Sequence, residues 1–302
     1  MTAPPDVTAI VVTYNALPWI ERCLESISAY RPIVVDHGST DGTLELVRES
    51  FPHAELIEQP NLGFGAGYNR GMQAASGRYY LLINSDAWLV GDALERLVAF
   101  AEEQPKAAVV GPRLLNLDGT LQRSVRGFPT KWRLATEYLF LRKLAPRSRA
   151  LNAFYAGEFD HDDVREVDFV MAACLLVRAE AAAEVGMFDE SFFMFSEETD
   201  WCYRFVQAGW HVMFYPGAEA VHVGGATWKK EFDPMFREQV RGHLRFLAKH
   251  RGLEQAEQTR WLLLVGLRLR ALTFPKGRRE TYRAAAEWLG SSSAEALLQS
   301  SR

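Results

Sequence analysis

Three carboxylates crowd one short stretch of the chain: Glu197, Glu198 and Asp200, within FFMFSEETDWCYR. Acids set among Phe192, Phe193, Phe195 and Trp201 repel one another and lose water. Both effects raise at least one pKa toward the range of a general base. Acids after Ser196 also suit the positive end of a helix dipole, a purely structural use that the aromatic setting does not call for. Asp36 ends the apolar run in VVDHGSTDGT, and a carboxylate at the carboxyl end of a buried strand can accept a hydrogen bond from a nucleobase N–H. Asn84–Ser85–Asp86 follows a second apolar run. Asp86 there suits an oxygen ligand for Mg²⁺ or Mn²⁺ on a diphosphate, and an Asx turn equally. His222, in AVHVGGAT, is a lone imidazole that needs partners before it defines a metal site. Gly63, Gly65, Gly67 and Gly71 in NLGFGAGYNRG either admit a nucleotide to the backbone or make a tight turn.

Several chemistries are excluded. A dinucleotide fingerprint needs glycine where Tyr68 stands, and no Gly-Lys-Ser/Thr phosphate loop occurs. GxSxG and HExxH are missing, which argues against a serine nucleophile or a zinc protease.

The candidate residues sit at the ends of regularly spaced elements. VTAIVV (7–12), PIVVD (32–36), a short strand near 55–57 and the apolar run 79–83 read as strands. Helical patterns separate them, over 19–27, from the Ser39–Asp41 caps through Val47, and through Ala74–Ala75. Alternation of this kind predicts βαβ units and a parallel sheet. Asn116–Gly119 reads as a turn joining hairpin-like segments, 167–177 and 211–215 as strands, and 179–185 and 197–208 as helices. Beyond Lys229 the pattern is helical, with Phe236, Val240, Leu244 and Leu247 on one face.

Composition bounds the rest. The 302 residues are 48% hydrophobic and 24% charged, an ordinary globular balance. Three scattered cysteines supply neither a disulfide framework nor a CxxC site, which suits a reducing cytoplasm. The net charge of −4 divides unevenly: residues 1–104 hold 6 Lys/Arg against 14 Asp/Glu, and residues 229–302 hold 15 against 8. The basic end suits either solvated helix faces or phosphates and an anionic membrane surface. Residues 123–149 are also basic, and aromatic. No signal peptide is read at the start, and the longest apolar segment, 261–267, is far too short to span a bilayer.

In their order, IVVTYN (10–15), VVDHGSTDGT (34–43), NLGFGAGYNRG (61–71), LLINSDA (81–87) and VGMFDESFFMFSEETDWCYR (185–204) resemble the inverting family 2 glycosyltransferases. The likeness is strongest to the bacterial rhamnosyltransferase-like branch, and it spans roughly residues 7–228. It implies an α/β GT-A fold: a Rossmann-like, mostly parallel sheet flanked by helices over 1–228, with a basic helical C-terminal extension over 229–302. The nucleotide-binding half would be about 1–104 and the acceptor-binding half about 105–228. By the same resemblance Thr13, Tyr14 and Asn15 line the nucleotide pocket and Asp36 reads the pyrimidine. Asn61, Gly63, Gly65 and Asn69 pack against base and ribose, and Asn84 lies beside Asp86. Asp86 and His222 hold Mg²⁺ or Mn²⁺, and Glu198 falls at the catalytic-base position. Glu197, Asp200 and Trp201 contact acceptor or sugar.

The implied activity is transfer of a sugar, rhamnose from dTDP-rhamnose above others, to a glycan or lipid-linked acceptor in cell-surface polysaccharide synthesis. The implied setting is cytoplasmic, at the inner face of the membrane, with no nucleic-acid partner. A UDP- or GDP-hexose donor is the alternative within the fold. A sugar-nucleotide nucleotidyltransferase would need a glycine- and arginine-rich loop where TYNALPW stands, and a non-catalytic glycan-binding protein would have lost the carboxylates.

Overall fold

In the computed structural model, which describes residues 6–224 and 232–299, the apolar runs become the strands of one sheet. β1 (Val7–Thr13), β2 (Ile33–Asp36), β3 (Glu55–Glu58) and β4 (Tyr79–Asn84) alternate with α1 (Ile20–Ile27), α2 (Thr43–Ser50) and α3 (Phe64–Ala74). These four strands lie parallel in the order β3-β2-β1-β4. β1 and β2 are covered on both faces, which is why their sequences are unbroken apolar runs.

The chain continues through β5 (Ala87–Leu89), α4 (Ala93–Glu103), β6 (Ala107–Leu115) and β7 (Leu121–Gln122). The predicted turn at 116–119 forms, with Asn116 N donating to Thr120 O at 2.8 Å, and β6 and β7 pair antiparallel. The two-residue strands β8 (Val125–Arg126), β9 (Arg165–Glu166) and β10 (Phe169–Val170) follow, with α5 (Lys131–Tyr138) between the first two. β11 (Cys174–Arg178), α6 (Ala179–Val185), α7 (Glu197–Gln207) and β12 (His211–His222) complete this part. β11 enters antiparallel between β4 and β6, and β12 runs parallel to β6. The outcome is a mixed α/β sheet, mostly parallel on the β3-β2-β1-β4 side, with helices Phe232–Arg251, Leu253–Thr273, Lys276–Gly290 and Ala294–Gln299 at the C-terminal end. Among the described residues no helix is long and apolar enough to cross a membrane.

Two compact units arise. One gathers residues 6–125, 161–193 and 200–224 around the sheet, with Val11, Leu24, Leu81, Ile83 and Leu97 in its core. The other gathers 126–160, 194–199 and 232–299, its core built from Leu134, Tyr138, Val240, Leu244, Leu263 and Leu267. The units are not consecutive stretches of chain, because 126–160 and 194–199 pack with the C-terminal helices. Val240, Leu244 and Leu247 are fully buried there, as their helical spacing predicts.

Candidate active site

In the sheet unit, three candidates lie on adjacent strands at one level: Thr13 pairs in register with Asp36, and Val12 with Asn84. The carboxyl ends of parallel strands therefore put Thr13, Asp36 and Asn84 along one edge, where α/β sheets bind ligands. The Thr13 hydroxyl is buried with no hydrogen-bond partner among the described residues. Asn15, in the left-handed region at φ 52°, closes the loop above it: its Oδ1 accepts from Thr40 N and its N donates to Ser39 Oγ, both at 2.8 Å. Tyr14 is exposed beside it.

Asp86 and His222 meet at this edge. β12 pairs with β5, bringing His222 opposite Ala87, and Val223 N donates to Asp86 O at 3.0 Å. His222 Nε2 stands 3.3 Å from Asp86 Oδ1 and 3.4 Å from Asn84 Nδ2. The imidazole tautomer follows from the bonds behind it. Gln122 Nε2 donates to Asn116 Oδ1 at 3.0 Å and to His222 O at 3.1 Å, so Gln122 Oε1 is left as an acceptor. His222 Nδ1 lies 2.7 Å from that oxygen and must carry the proton. A neutral imidazole with its proton there presents the Nε2 lone pair toward the Asp86 carboxylate.

Two lone-pair donors facing each other need a cation or a proton between them. Neighbouring ligands of an octahedral Mg²⁺ or Mn²⁺ at about 2.1 Å stand roughly 3 Å apart, close to the separation here. An imidazole whose other nitrogen donates to an amide oxygen is the usual state of a metal-binding histidine. The residues present thus fit a divalent cation held by two side chains. Among the described residues no three His, Cys, Asp or Glu side chains form a closed metal cage.

Asp36 is fully buried, and most of its carboxylate is used by its own loop. Oδ1 accepts from Gly38 N and Ser39 N at 2.8 Å, and Oδ2 accepts from Ser39 Oγ at 2.5 Å. Three of its four lone pairs are thus taken. His37 beside it is held below its ordinary pKa chiefly by burial, and neutral, with Gln59 Nε2 at 3.0 Å donating to its Nε2. Asn61 is exposed, and its Oδ1 accepts from Gly63 N at 3.2 Å.

The glycine run is built for packing. A Cβ at Gly63 (φ +109°) would lie 2.6 Å from Phe193 O, and at Gly71 2.3 Å from Ile10 Cγ2. Gly65 is buried within α3. Three other candidates have structural tasks where sugar or nucleotide contacts are expected. Asn69 spends its whole amide on the backbone N and O of Phe188 and on Glu190 Oε1, all within 2.9 Å. Asp200, fully buried, pairs with Arg204 at 2.9 Å, and Arg204 also donates to the carbonyls of Val185, Gly186 and Met187. Trp201 is a fully buried core residue against Phe188 and Phe205, its Nε1 donating to Gly186 O at 2.7 Å.

Glu197 and Glu198 belong to the other unit, on the first turn of α7. The turn before them is strained: Phe195 and Ser196 hold φ +68° and +71°, a region costly for a bulky side chain. Gly242 of the helix Phe232–Arg251 lies against this turn, where a Cβ would come within 2.8 Å of Phe195 O and Ser196 Oγ. Each glutamate has a buried Oε2 without a hydrogen-bond partner among the described residues. Burial first, and then the neighbouring Glu198, push the Glu197 carboxyl well above its usual range. Burial pushes Glu198 up to about 7, against the backbone N–H groups of the helix start and the Arg126 charge, which lower it. Glu198 is therefore poised to gain or lose a proton near neutral pH.

Sequence reasoning missed Gln122 and Asn116, which set the His222 tautomer, along with Ser39 and His37. Gln122 lies a hundred residues from His222 and belongs to no motif.

The chain belongs to glycosyl transferase family 2, whose model matches residues 8–163. It is 30% identical over 285 residues to the N-acetylglucosaminyl-diphospho-decaprenol L-rhamnosyltransferase of Mycobacterium tuberculosis, covering 88% of this chain and 92% of that one. The protein is a glycosyltransferase. Its structure resembles the mannosyltransferase PcManGT from Pyrobaculum calidifontis, solved with GDP-Man and Mn²⁺, at a TM-score of 0.55 and 22% identity over 98% of this chain and 79% of that one. It also resembles GalNAc-T7, solved with UDP, GalNAc and Mn²⁺, at a TM-score of 0.59 and 12% identity over 96% of this chain and 56% of that one. At these identities the likeness establishes the GT-A fold.

Proposed function

We propose that the protein transfers L-rhamnose from dTDP-rhamnose to a hydroxyl of N-acetylglucosamine carried on a polyprenyl diphosphate, a step of cell-surface polysaccharide synthesis at the cytoplasmic side of the membrane. Sugar and acceptor follow the mycobacterial relative, whose name specifies both. The observation that carries metal-assisted transfer is the Asp86–His222 pair, two lone-pair donors 3.3 Å apart at the ends of the parallel strands.

In this reading Thr13, Tyr14, Asn15 and Asn61 bind the nucleotide, and the last lone pair of Asp36 accepts the pyrimidine N–H. Asp86 and His222 hold Mg²⁺ or Mn²⁺ beside Asn84. A cation bound there would neutralise charge growing on the departing diphosphate. Glu198 takes the proton from the acceptor hydroxyl as that oxygen bonds to the anomeric carbon and the carbon–diphosphate bond breaks. Glu197, whose carboxyl burial and the neighbouring Glu198 hold well above its usual range, contacts acceptor or sugar. One displacement of this kind inverts the anomeric centre and leaves no sugar on the enzyme.

The test is release of nucleoside diphosphate from dTDP-rhamnose, UDP-hexoses and GDP-mannose with a prenyl-diphosphate N-acetylglucosamine acceptor, with and without Mn²⁺ chelation. Acceptor-dependent dTDP release that chelation abolishes is expected. Release from a hexose donor alone would overturn the sugar, release insensitive to chelation would overturn the cation, and a product of retained configuration would overturn the mechanism.

A further inference from the structure

The helix Leu253–Thr273 is apolar on two sides. One side buries Ala256, Leu263, Leu264 and Leu267 in its own unit. The other leaves Trp261, Val265, Leu269 and Leu272 exposed by 56%, 57%, 37% and 74%. At about 100° per residue these four and the exposed Arg268 fall within an arc of roughly 100°, a single stripe about three turns long. Single exposed leucines are ordinary, but a contiguous stripe headed by a tryptophan marks a contact surface.

Cations border this stripe. Arg268 and Arg283 line a groove of about 500 Å³ together with Ala271, Leu272, Ala286 and Glu287. Lys276 and Arg278 are exposed just past the end of the helix. Residues 229–302 carry 15 Lys/Arg against 8 Asp/Glu. A second copy of a face that carries Arg268, Arg283, Lys276 and Arg278 beside the single carboxylate Glu287 of the groove would repel the first, whereas an anionic surface complements it. Apolar side chains in line with an interfacial tryptophan, flanked by arginines, are the pattern of a helix lying in the headgroup region of a bilayer.

We propose that this face docks on a lipid bilayer bearing anionic phospholipids, with Trp261, Val265, Leu269 and Leu272 entering the boundary between headgroups and acyl chains. Arg268 and Arg283 hold lipid phosphates at the groove beside Leu272. The proposal does not rest on the identity of the sugar, the metal or the catalytic base.

The experiment is flotation of the full chain with vesicles of phosphatidylcholine alone and of phosphatidylcholine mixed equally with phosphatidylglycerol. The protein is expected to float with the mixed vesicles, to stay behind with the neutral ones, and to be partly released by salt. Trp261→Ser/Leu272→Ser should bind at least about tenfold more weakly, the order expected when two large apolar side chains leave the interface. Arg268→Gln/Arg283→Gln should lose the preference for anionic vesicles while keeping the wild-type melting temperature. Leu272→Glu, at the most exposed position, gives the same reading from a single surface change. A chain that ignores anionic vesicles, or apolar variants that float like wild type, would overturn the proposal. So would lipid-independent self-association that Trp261→Ser/Leu272→Ser abolishes, because a second copy would then be the occupant.

Discussion

Replacing Glu198 by Gln keeps the side-chain volume and removes the capacity to accept a proton. With its pKa near 7, about half of Glu198 is ionised at neutral pH and about one per cent two units lower. If the ionised form is the working base, kcat/KM of the wild type falls about tenfold per pH unit on the acid side of 7. Glu198→Gln should lose that limb and, at pH 8, about 10²- to 10⁴-fold in kcat. The same burial makes an opposite prediction for stability. Because the native pKa lies above the ordinary 4.5, this group's contribution to stability is complete below pH 4.5 and is lost as pH rises through about 7. The loss runs at up to about 1.4 kcal/mol per pH unit within that window. Glu198→Gln cannot ionise, so it should melt above wild type at pH 8 and level with it at pH 4.5. Nucleoside diphosphate release and thermal melts across this range measure both. Turnover near wild type in a folded variant removes Glu198 as the base, and a melting difference that ignores pH refutes the burial argument beneath it.

Gln122→Leu removes the acceptor that fixes the His222 tautomer and should weaken Mn²⁺ binding about 10- to 100-fold, read as free Mn²⁺ by paramagnetic resonance; an unchanged affinity rejects the positioning role. Trp201→Ala should cost about 3–5 kcal/mol in a urea melt because the ring is core. Small destabilisation with a raised acceptor KM would instead make Trp201 a sugar contact. Gly242→Ala gains about 1 kcal/mol in helix propensity but drives a Cβ to 2.8 Å from the Phe195 carbonyl. Overpacking against backbone costs about 1–3 kcal/mol, so lower stability and lower kcat are expected. A more stable, fully active variant would show that the strained turn is irrelevant.

How much of this was legible in the sequence depended on how local the cause was. VTAIVV and YYLLI read as buried strands because both their faces are covered, and the Asn116–Gly119 turn carries its own signal. The antiparallel entry of CLLVR between β4 and β6 carried none: an apolar run fits either direction, and its neighbours are set by contacts far along the chain. Strand-end logic located Asp36 and Asp86, yet it did not show that Ser39 and Gly38 take most of the Asp36 carboxylate. The aromatic residues around the acidic knot suggested a site, whereas Trp201 and Phe192 are core. NLGFGAGYNRG is glycine-rich for close approach, but Gly71 approaches Ile10 and Gly63 approaches Phe193.

Unmet bonding separates the candidates better than residue type does. Asp200, Asn69 and most of Asp36 are buried and satisfied, Asp200 by its ion pair with Arg204. The Glu197 and Glu198 Oε2 atoms, the Thr13 hydroxyl and the facing Asp86–His222 lone pairs are buried polar groups with bonds still to make. An unsatisfied buried group costs about 1–3 kcal/mol, and left-handed Phe195 and Ser196 add strain of similar order. Between the two glutamates, Glu197 is the more deeply buried, and burial with the neighbouring Glu198 pushes its carboxyl well above the usual range. Glu198 keeps the backbone N–H bonds and the Arg126 charge that let it ionise near pH 7, which is the property a base must have.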